Sequence, residues 1–457
     1  MSKSRHSENG FYGVMINVLS FVYLTGYALF ESSPTLSRLS LITALALWCV
    51  LALRFVHTGR LVIPRLLWAP LGFGVVVVAS ILWAPYLPLA WTYGSITLSA
   101  IFGAIALWLA LHNGLSYRTI FWAALAGSAM VIVAAIQNPE QMVDVVARSG
   151  GTFSNPNLAA VYLASCAFIV ASPPPKSVRV SVFNIALAAG LIGTAIIFTG
   201  SRKTLFAVAI FAVYAIVVLI RQSRRRYLAG MLLLGGLVLI IAAVLVWPSA
   251  NLSSESVSGV GTIQRMLMLR EGGEHSSDIR HAMIATGIDL WLKKPWFGYG
   301  FGQYARIAPY GTYSHCNYTE LLSNTGLLGT LAYYLFPLMI GVYAIKLKRP
   351  QHVAALAIVG LSLLTDLASV SILARPNWNM LVLAAFFVES SRPNVFLMLR
   401  RKAIPLNDLW LNSRMIRGAI KRVRQPVELA DVRGNPELRR RVVGTGSLRR
   451  LRRRGDE

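Results

Sequence analysis

His315 opens the stretch Ser314–Gly329 (Ser-His-Cys-Asn-Tyr-Thr-Glu-Leu-Leu-Ser-Asn-Thr-Gly-Leu-Leu-Gly), where a long polar segment, 248–313, runs into an apolar helix. Imidazole is the one side chain whose ordinary pKa, about 6.5, lets it accept a proton near neutrality. Glu320 lies one helical turn past Cys316, a spacing that suits it to orient the histidine or to pair an arginine. Arg202 interrupts an otherwise apolar stretch, 181–220, in Thr199-Gly200-Ser201-Arg202-Lys203-Thr204. Arginine at membrane depth is costly and normally has a partner or a task. Its planar fork suits a diphosphate. Arg280, with Arg265 upstream of it, supplies further guanidinium groups from the polar segment. Taken singly, each has a plainer reading: a snorkelling arginine at a helix end, a solvated loop arginine, a structural histidine. Gly150–Asn157 could likewise hold an anion at a helix N-terminus, but capping by Ser154 or Asn155 with Pro156 near the first turn explains it fully. Together, two arginines for a diphosphate and a histidine for a hydroxyl proton form a reaction inventory. That holds if they share one membrane face and the substrate is lipid-linked.

The rest of the chain reads as the scaffold for that face. It is 55% apolar and only 14% charged, well below the roughly 25% charged residues of soluble domains. Windows of about 18–22 apolar residues recur, each long enough to span a bilayer as a helix. Backbone polar groups in lipid must be satisfied within their own segment, so the fold expected is an all-α polytopic membrane protein. Roughly twelve spans are expected, at 11–30, 37–56, 66–84, 91–111, 119–137, 157–171, 181–199, 203–220, 227–247, 318–345, 353–373 and 379–398. The first is read as an uncleaved span rather than a signal peptide. The three cysteines, Cys49, Cys166 and Cys316, show no pairing or metal-ligand spacing.

The formal net charge of +26 is distributed by topology and does not point to nucleic acid. Arg54, Arg60 and Arg65, then Lys176 and Arg179, then Arg221 and Arg224–Arg226, then Lys346, Lys348 and Arg349 alternate with loops poor in Lys and Arg. By the positive-inside rule these basic loops and both termini are cytoplasmic, and the segment 248–317 is extracytoplasmic. Within that segment 251–261 reads as a Ser/Gly-rich loop. A helix capped by Ser277 or Asp278 then runs to Leu292 and ends at Lys293-Lys294-Pro295. Trp296–Tyr304 follows, aromatics interleaved with Gly298, Gly300 and Gly302, a stripe suited to the membrane surface. The organisation expected is a transmembrane domain over 1–398 and a basic cytoplasmic tail over 399–457. The tail carries 17 Lys and Arg against 6 Asp and Glu, suited to disorder and to anionic lipid headgroups.

The ordered set of motifs resembles the O-antigen ligase and O-antigen polymerase superfamily of bacterial envelope glycosyltransferases. The residues that carry the resemblance are Thr199–Lys203, the run Arg280…Trp291…Lys294-Pro295-Trp296-Phe297-Gly298-Tyr299-Gly300, and His315-x-x-Tyr318-x-Glu320-Leu321-Leu322…Gly326-Leu327-Leu328-Gly329. Where the family places Asn directly after the histidine, this chain has Cys316 and then Asn317. The resemblance implies a metal-independent, inverting transfer without cofactor on the periplasmic face of the inner membrane. The donor it implies is a glycan on undecaprenyl diphosphate. The acceptor is lipid A–core for a ligase and another lipid-linked repeat for a polymerase. Carried over, His315 is the base, with Glu320 beside it. Arg202 and Arg280, or Arg265, hold the diphosphate. The competing reading is a transporter or flippase of lipid-linked glycans, which shares the apolar bulk and basic loops. For it Asp366 is the main buried acid, with Arg375 or a backbone group as partner.

Overall fold

The computed structural model describes residues 2–30, 37–137, 152–153, 156–174, 180–199, 201, 203–222, 275–346, 349–390 and 396–400. The chain is mostly helical. In order, the α-helices are α1 (Ser2–Phe30), α2 (Ser37–Thr58), α3 (Trp68–Ser80), α4 (Leu87–His112), α5 (Tyr117–Gln137), α6 (Pro156–Ala171), α7 (Val182–Thr199) and α8 (Lys203–Gln222). They continue as α9 (His275–Lys293), the short α10 (Tyr304–Ile307), α11 (Asn317–Ile345), α12 (Pro350–Asp366) and α13 (Arg375–Glu389). Among the described residues five helical stretches, Arg38–Thr58, Arg65–Trp83, Leu87–His112, Tyr117–Gln137 and Asn317–Ile345, are long and apolar enough to cross a membrane. Gly10–Gly26, Pro156–Ala171, Val182–Ile196 and Thr204–Leu219 are shorter apolar helices. The expected span 227–247 and the tail beyond Arg400 lie outside the described residues, and the first two residues of the expected tail belong to a strand.

Helix α4 is the axis of the bundle. From Ala100 to Leu111 every residue but Phe102 is buried, and Ala100, Gly103, Ala104, Ala106 and Ala110 are small enough to let neighbouring backbones close in. It packs against α2, α3 and α13. Around it α1 lies against α2 and α5, α6 against α5, α7 and α8, and α12 against α8, α11 and α13. The largest fully buried side chains, Trp108 and Trp378 among them, belong to this core.

Three elements depart from the sequence reading. A two-stranded antiparallel sheet joins β1 (Arg60–Pro64) to β2 (Phe396–Arg400), with Arg60 opposite Arg400, so the fold is not wholly α. The expected spans 353–373 and 379–398 are shorter, ending as helices at Asp366 and Glu389. Polar Asp366 and Glu389 are fully buried and find partners inside the protein, so apolar length alone overestimates these helices. Helix α9 starts at His275, ahead of the expected caps Ser277 and Asp278.

The two ends of the bundle are chemically different. At one end Glu389 accepts from the indole of Trp108 (2.9 Å), pairs with His112 (3.1 Å) and receives the Leu66 N–H (3.4 Å). Asn113 beside it clamps Val62 of β1 in both directions, at 3.0 and 2.9 Å. The N-terminus of α4 lies about 39 Å away, at about 1.5 Å per residue. That other end gathers the first turn of α11, the C-terminus of α12 and the N-terminus of α13. The side chain of Gln351 donates to Pro174 O (3.0 Å), which sets α6 and α12 antiparallel. The start of α6 therefore shares the end that holds Asp366.

Candidate active site

The site end is capped by α9 and the connector that follows it. Helix α9 turns Met283, Gly287 and Leu290 toward α11, a spacing that keeps one face in contact. Gly287 allows a close approach: a Cβ there would meet Thr319 Cβ at 3.0 Å. Met283 and Leu290 form a small core with Tyr304 and Ala308, and Tyr304 donates its hydroxyl to Met283 O (2.7 Å).

Helix α11 is two helices joined at Gly326, whose φ of 65° and ψ of −166° break the helical ladder. The connector repairs the break. Tyr299 and Gly300 donate their N–H groups to Ser323 O (3.0 Å) and Asn324 O (2.8 Å), and Leu327 and Leu328 donate to Pro295 O (2.8 Å) and Trp296 O (3.3 Å). Every backbone group freed by the kink that these bonds reach is satisfied by the same six-residue run. Burial changes at this point. From Asn317 to Gly326 nearly every residue is buried, many of them polar. From Leu327 to Ile345 an exposed apolar face begins with Leu328 and Leu331. That second part is about 28 Å long at about 1.5 Å per residue, close to the roughly 30 Å of a bilayer's hydrocarbon core.

His315 sits at the mouth of the buried first part. Its φ is 57°, the one positive value at a non-glycine position among the described residues. Such a conformation costs a non-glycine residue about 1–2 kcal/mol and persists where surroundings over-determine it. The surroundings are visible. On the N-terminal side Ser314 gives its N–H to Glu320 Oε2 (2.7 Å) and its hydroxyl to Cys316 O (2.8 Å). On the C-terminal side Cys316 caps α11 by backbone geometry alone. The ring of His315 lies against Tyr313, centroids 4.5 Å apart. Half-buried Tyr313 is held above the usual phenol range, first by burial and then by the negative charge of Glu320; the guanidinium of Arg280 opposes both. Arg280, Tyr313, His315 and Glu320 therefore form one neighbourhood. Tyr304 nearby is pushed upward by burial and by the same carboxylate.

Glu320 is fully occupied by structure. Besides Ser314 it receives Asn324 Nδ2 (2.8 Å), and Asn324 Oδ1 in turn receives the N–H of Tyr304 (2.8 Å). The carboxylate ties the His315 turn to the α9 cap. Two residues past His315, Asn317 gives its amide to Asp366 (3.2 Å) and Tyr334 (3.2 Å) and receives Ile372 N–H (3.2 Å). Tyr334 also donates to Asp366 (2.9 Å). Asp366 is thus held by α11, and Arg375 donates to Ser40 of α2.

Of the residues singled out from sequence, His315, Glu320 and Arg280 come together. Arg202 and Arg265 lie outside the described residues. Ser201, next to Arg202 in sequence, donates to Asn157 (2.9 Å) at the start of α6, which joins the Thr199–Lys203 and Gly150–Asn157 motifs at the site end. Sequence reasoning passed over Tyr313 and Gln303, and quoted Gly326 in a motif without foreseeing the break there. Gln303 is fully buried and bonds Tyr86 in both directions (3.0 and 3.0 Å), fixing the connector to the α3–α4 junction. The available signals were a tyrosine two residues before the histidine and a glycine mid-helix.

The fold and site define a polytopic helical membrane protein with a polar cap over one end. Residues 187–334 match the family model described as O-antigen ligase. The match runs from within α7 to within α11 and includes α8, α9, the connector and the His315 turn, so the resemblance read from the motifs stands on the segment that carries them. Over 187–334 the chain is thus similar to O-antigen ligases, and the apolar helices around that segment fit an integral membrane protein. No curated protein matches the chain.

Proposed function

We propose that the chain transfers a glycan from undecaprenyl diphosphate to an acceptor hydroxyl, on lipid A–core or a lipid-linked repeat, at the periplasmic face of the inner membrane. The twelve-span topology with both termini cytoplasmic belongs to this reading, supported by the alternation of basic loops. The carrying observation is the His315 turn. A histidine stands in a left-handed conformation, against Tyr313, beside a carboxylate that accepts the Ser314 N–H of the same turn.

In this mechanism His315 takes the proton of the acceptor hydroxyl as its oxygen bonds to the anomeric carbon. The bond from that carbon to the diphosphate oxygen breaks with inversion. The electron pair leaves on undecaprenyl diphosphate, whose growing charge Arg280 and Arg202, or Arg265, neutralise. General-base assistance is worth typically about 10²–10⁴-fold. The reaction needs no metal in this reading. Glu320 acts by positioning His315. The first residues of α11 lie in a poorly hydrated cap, where such electrostatic stabilisation is strongest.

The test is glycan transfer by the reconstituted protein with EDTA present. His315→Ala abolishing transfer while the protein stays in the membrane is the result expected; full activity would falsify the proposal. Arg202→Ala and Arg280→Ala should each impair transfer. Deleting the gene separates the acceptors: single-repeat lipopolysaccharide identifies a polymerase, and accumulated lipid-linked polymer with uncapped core identifies a ligase. Transport without transfer would instead establish the flippase reading.

A further inference from the structure

The connector that repairs α11 also presents an apolar edge that the reaction does not use. From Leu292 to Phe297 every residue is exposed: Leu292 63%, Trp296 60% and Phe297 58%, with Lys293 and Lys294 among them. Single exposed hydrophobes need no explanation, whereas a contiguous aromatic patch does.

Three contacts give the depth of this patch. The helical stretch Arg65–Trp83 ends, and Leu87–His112 begins, at the α3–α4 junction, where a membrane boundary must fall if both cross. Trp83 donates its indole N–H to Phe297 O (3.2 Å) and sets its ring edge-on to Phe297 at 5.8 Å. Gln303 bonds Tyr86 of the same junction. On the other side Leu328 donates to Trp296 O (3.3 Å), at the residue where the exposed apolar face of α11 starts. Leu87 and Trp91 in the first turns of α4 are also exposed. The connector is therefore level with the ends of three membrane-crossing helices. Tryptophan and phenylalanine beside lysines are the composition of the water–lipid interface. Lys294 is steadied over the Tyr299 ring at 4.5 Å.

We infer that Leu292–Phe297 is an interfacial anchor, with Trp296 and Phe297 seated at the acyl-chain edge of the bilayer and Lys293 and Lys294 at the phospholipid phosphates. The anchor holds the α9–α11 cap at headgroup depth. The partner is bilayer phospholipid. The inference stands on helix ends and connector contacts and is independent of the reaction assigned to the cap.

The test uses full-length protein with exposed Cys49→Ser and one added cysteine, Phe297→Cys, or Asp278→Cys at the exposed start of α9 as reference. Each carries a nitroxide and is reconstituted in phosphatidylethanolamine–phosphatidylglycerol vesicles. Collision with oxygen and with a water-soluble nickel chelate is measured. The anchor requires an oxygen-to-nickel accessibility ratio several-fold higher at 297 than at 278. Equal preference for nickel at both sites would put the connector in water and overturn it. Shielding of the 297 label from both reagents would mean coverage by protein, such as a second copy, and would overturn it too. Should Phe297→Cys fail to fold, quenching by brominated lipid supplies the measurement. Trp296→Phe must lower the lipid-quenched share of tryptophan fluorescence, and an unchanged share refutes the anchor.

Discussion

Gly298 and Gly326 face each other across one joint, where a side chain on either would enter the backbone of the other's segment. Both stand at φ of 65°, and a Cβ on Gly298 would lie 2.5 Å from the carbonyl carbon of Asn324, while one on Gly326 would strike the backbone of Trp296. Neither obstacle is a side chain that can rotate away. The connector and the helix break are thus fitted to each other through backbone alone.

Alanine at either glycine combines a left-handed penalty of about 1–2 kcal/mol with displacement of the partner backbone. Each variant should lose at least about 2 kcal/mol of stability, read as a lower melting temperature in detergent. The two losses should not add, because either one opens the same joint. Full additivity would show that the two positions act separately.

The left-handed turn at His315 separates stability from activity. Glycine accepts that conformation freely and alanine does not, so His315→Gly should be more stable than His315→Ala by about 1 kcal/mol. Both should be inactive in transfer. An active glycine variant would remove the imidazole from the reaction.

Glu320 is engaged by two buried donors, Ser314 N–H and Asn324 Nδ2. Removing it leaves both unmade, at about 1–3 kcal/mol each, and releases the His315 turn. Glu320→Ala should therefore lower both stability and transfer. Glu320→Gln keeps one acceptor and should restore much of each. If the glutamine variant is as inactive as His315→Ala while folding normally, Glu320 exchanges a proton itself.

Tyr313 gives a pH signature. Its phenol is raised in the folded protein by burial and by Glu320, so the folded state holds the proton more tightly than the unfolded state, where it leaves at about pH 10. The stability it contributes is complete below that pH and is lost as pH rises toward the folded value. Tyr313→Phe cannot ionise and should lose less stability than the parent above about pH 10. Arg280→Ala removes the opposing charge and should raise the Tyr313 phenol further, measurable by phenolate absorbance as a difference from the Tyr313→Phe variant. Parallel pH curves for parent and Tyr313→Phe would contradict the burial of this ring.

Helix positions and the neighbourhood of His315 were legible in the sequence because both rest on local patterns: apolar length for α2, α4 and α5, and motif order for Arg280, His315 and Glu320. The break at Gly326 was not. Thr325–Gly329 continues a helix-compatible pattern, and the sign of φ is set by the connector docking from outside it. The same holds for Gln303, whose two bonds to Tyr86 cross 217 positions of chain. The sheet was hidden because Leu61-Val62-Ile63 reads as part of a short basic loop and Phe396-Leu397-Met398 as the end of an apolar helix, while their pairing joins residues over 330 positions apart. Asp366 and Glu389 shorten their helices only because the rest of the fold supplies donors to them.

The pairing of β1 with β2 has a consequence for how the molecule is made. β1 emerges from the ribosome after α2, and its partner emerges only after α13, the last of the described helices. Through nearly the whole of synthesis and insertion the backbone edge of 60–64 waits unmatched, held on its other flank by Asn113. A chain cut short before Phe396 would leave that edge open, a template for a foreign strand.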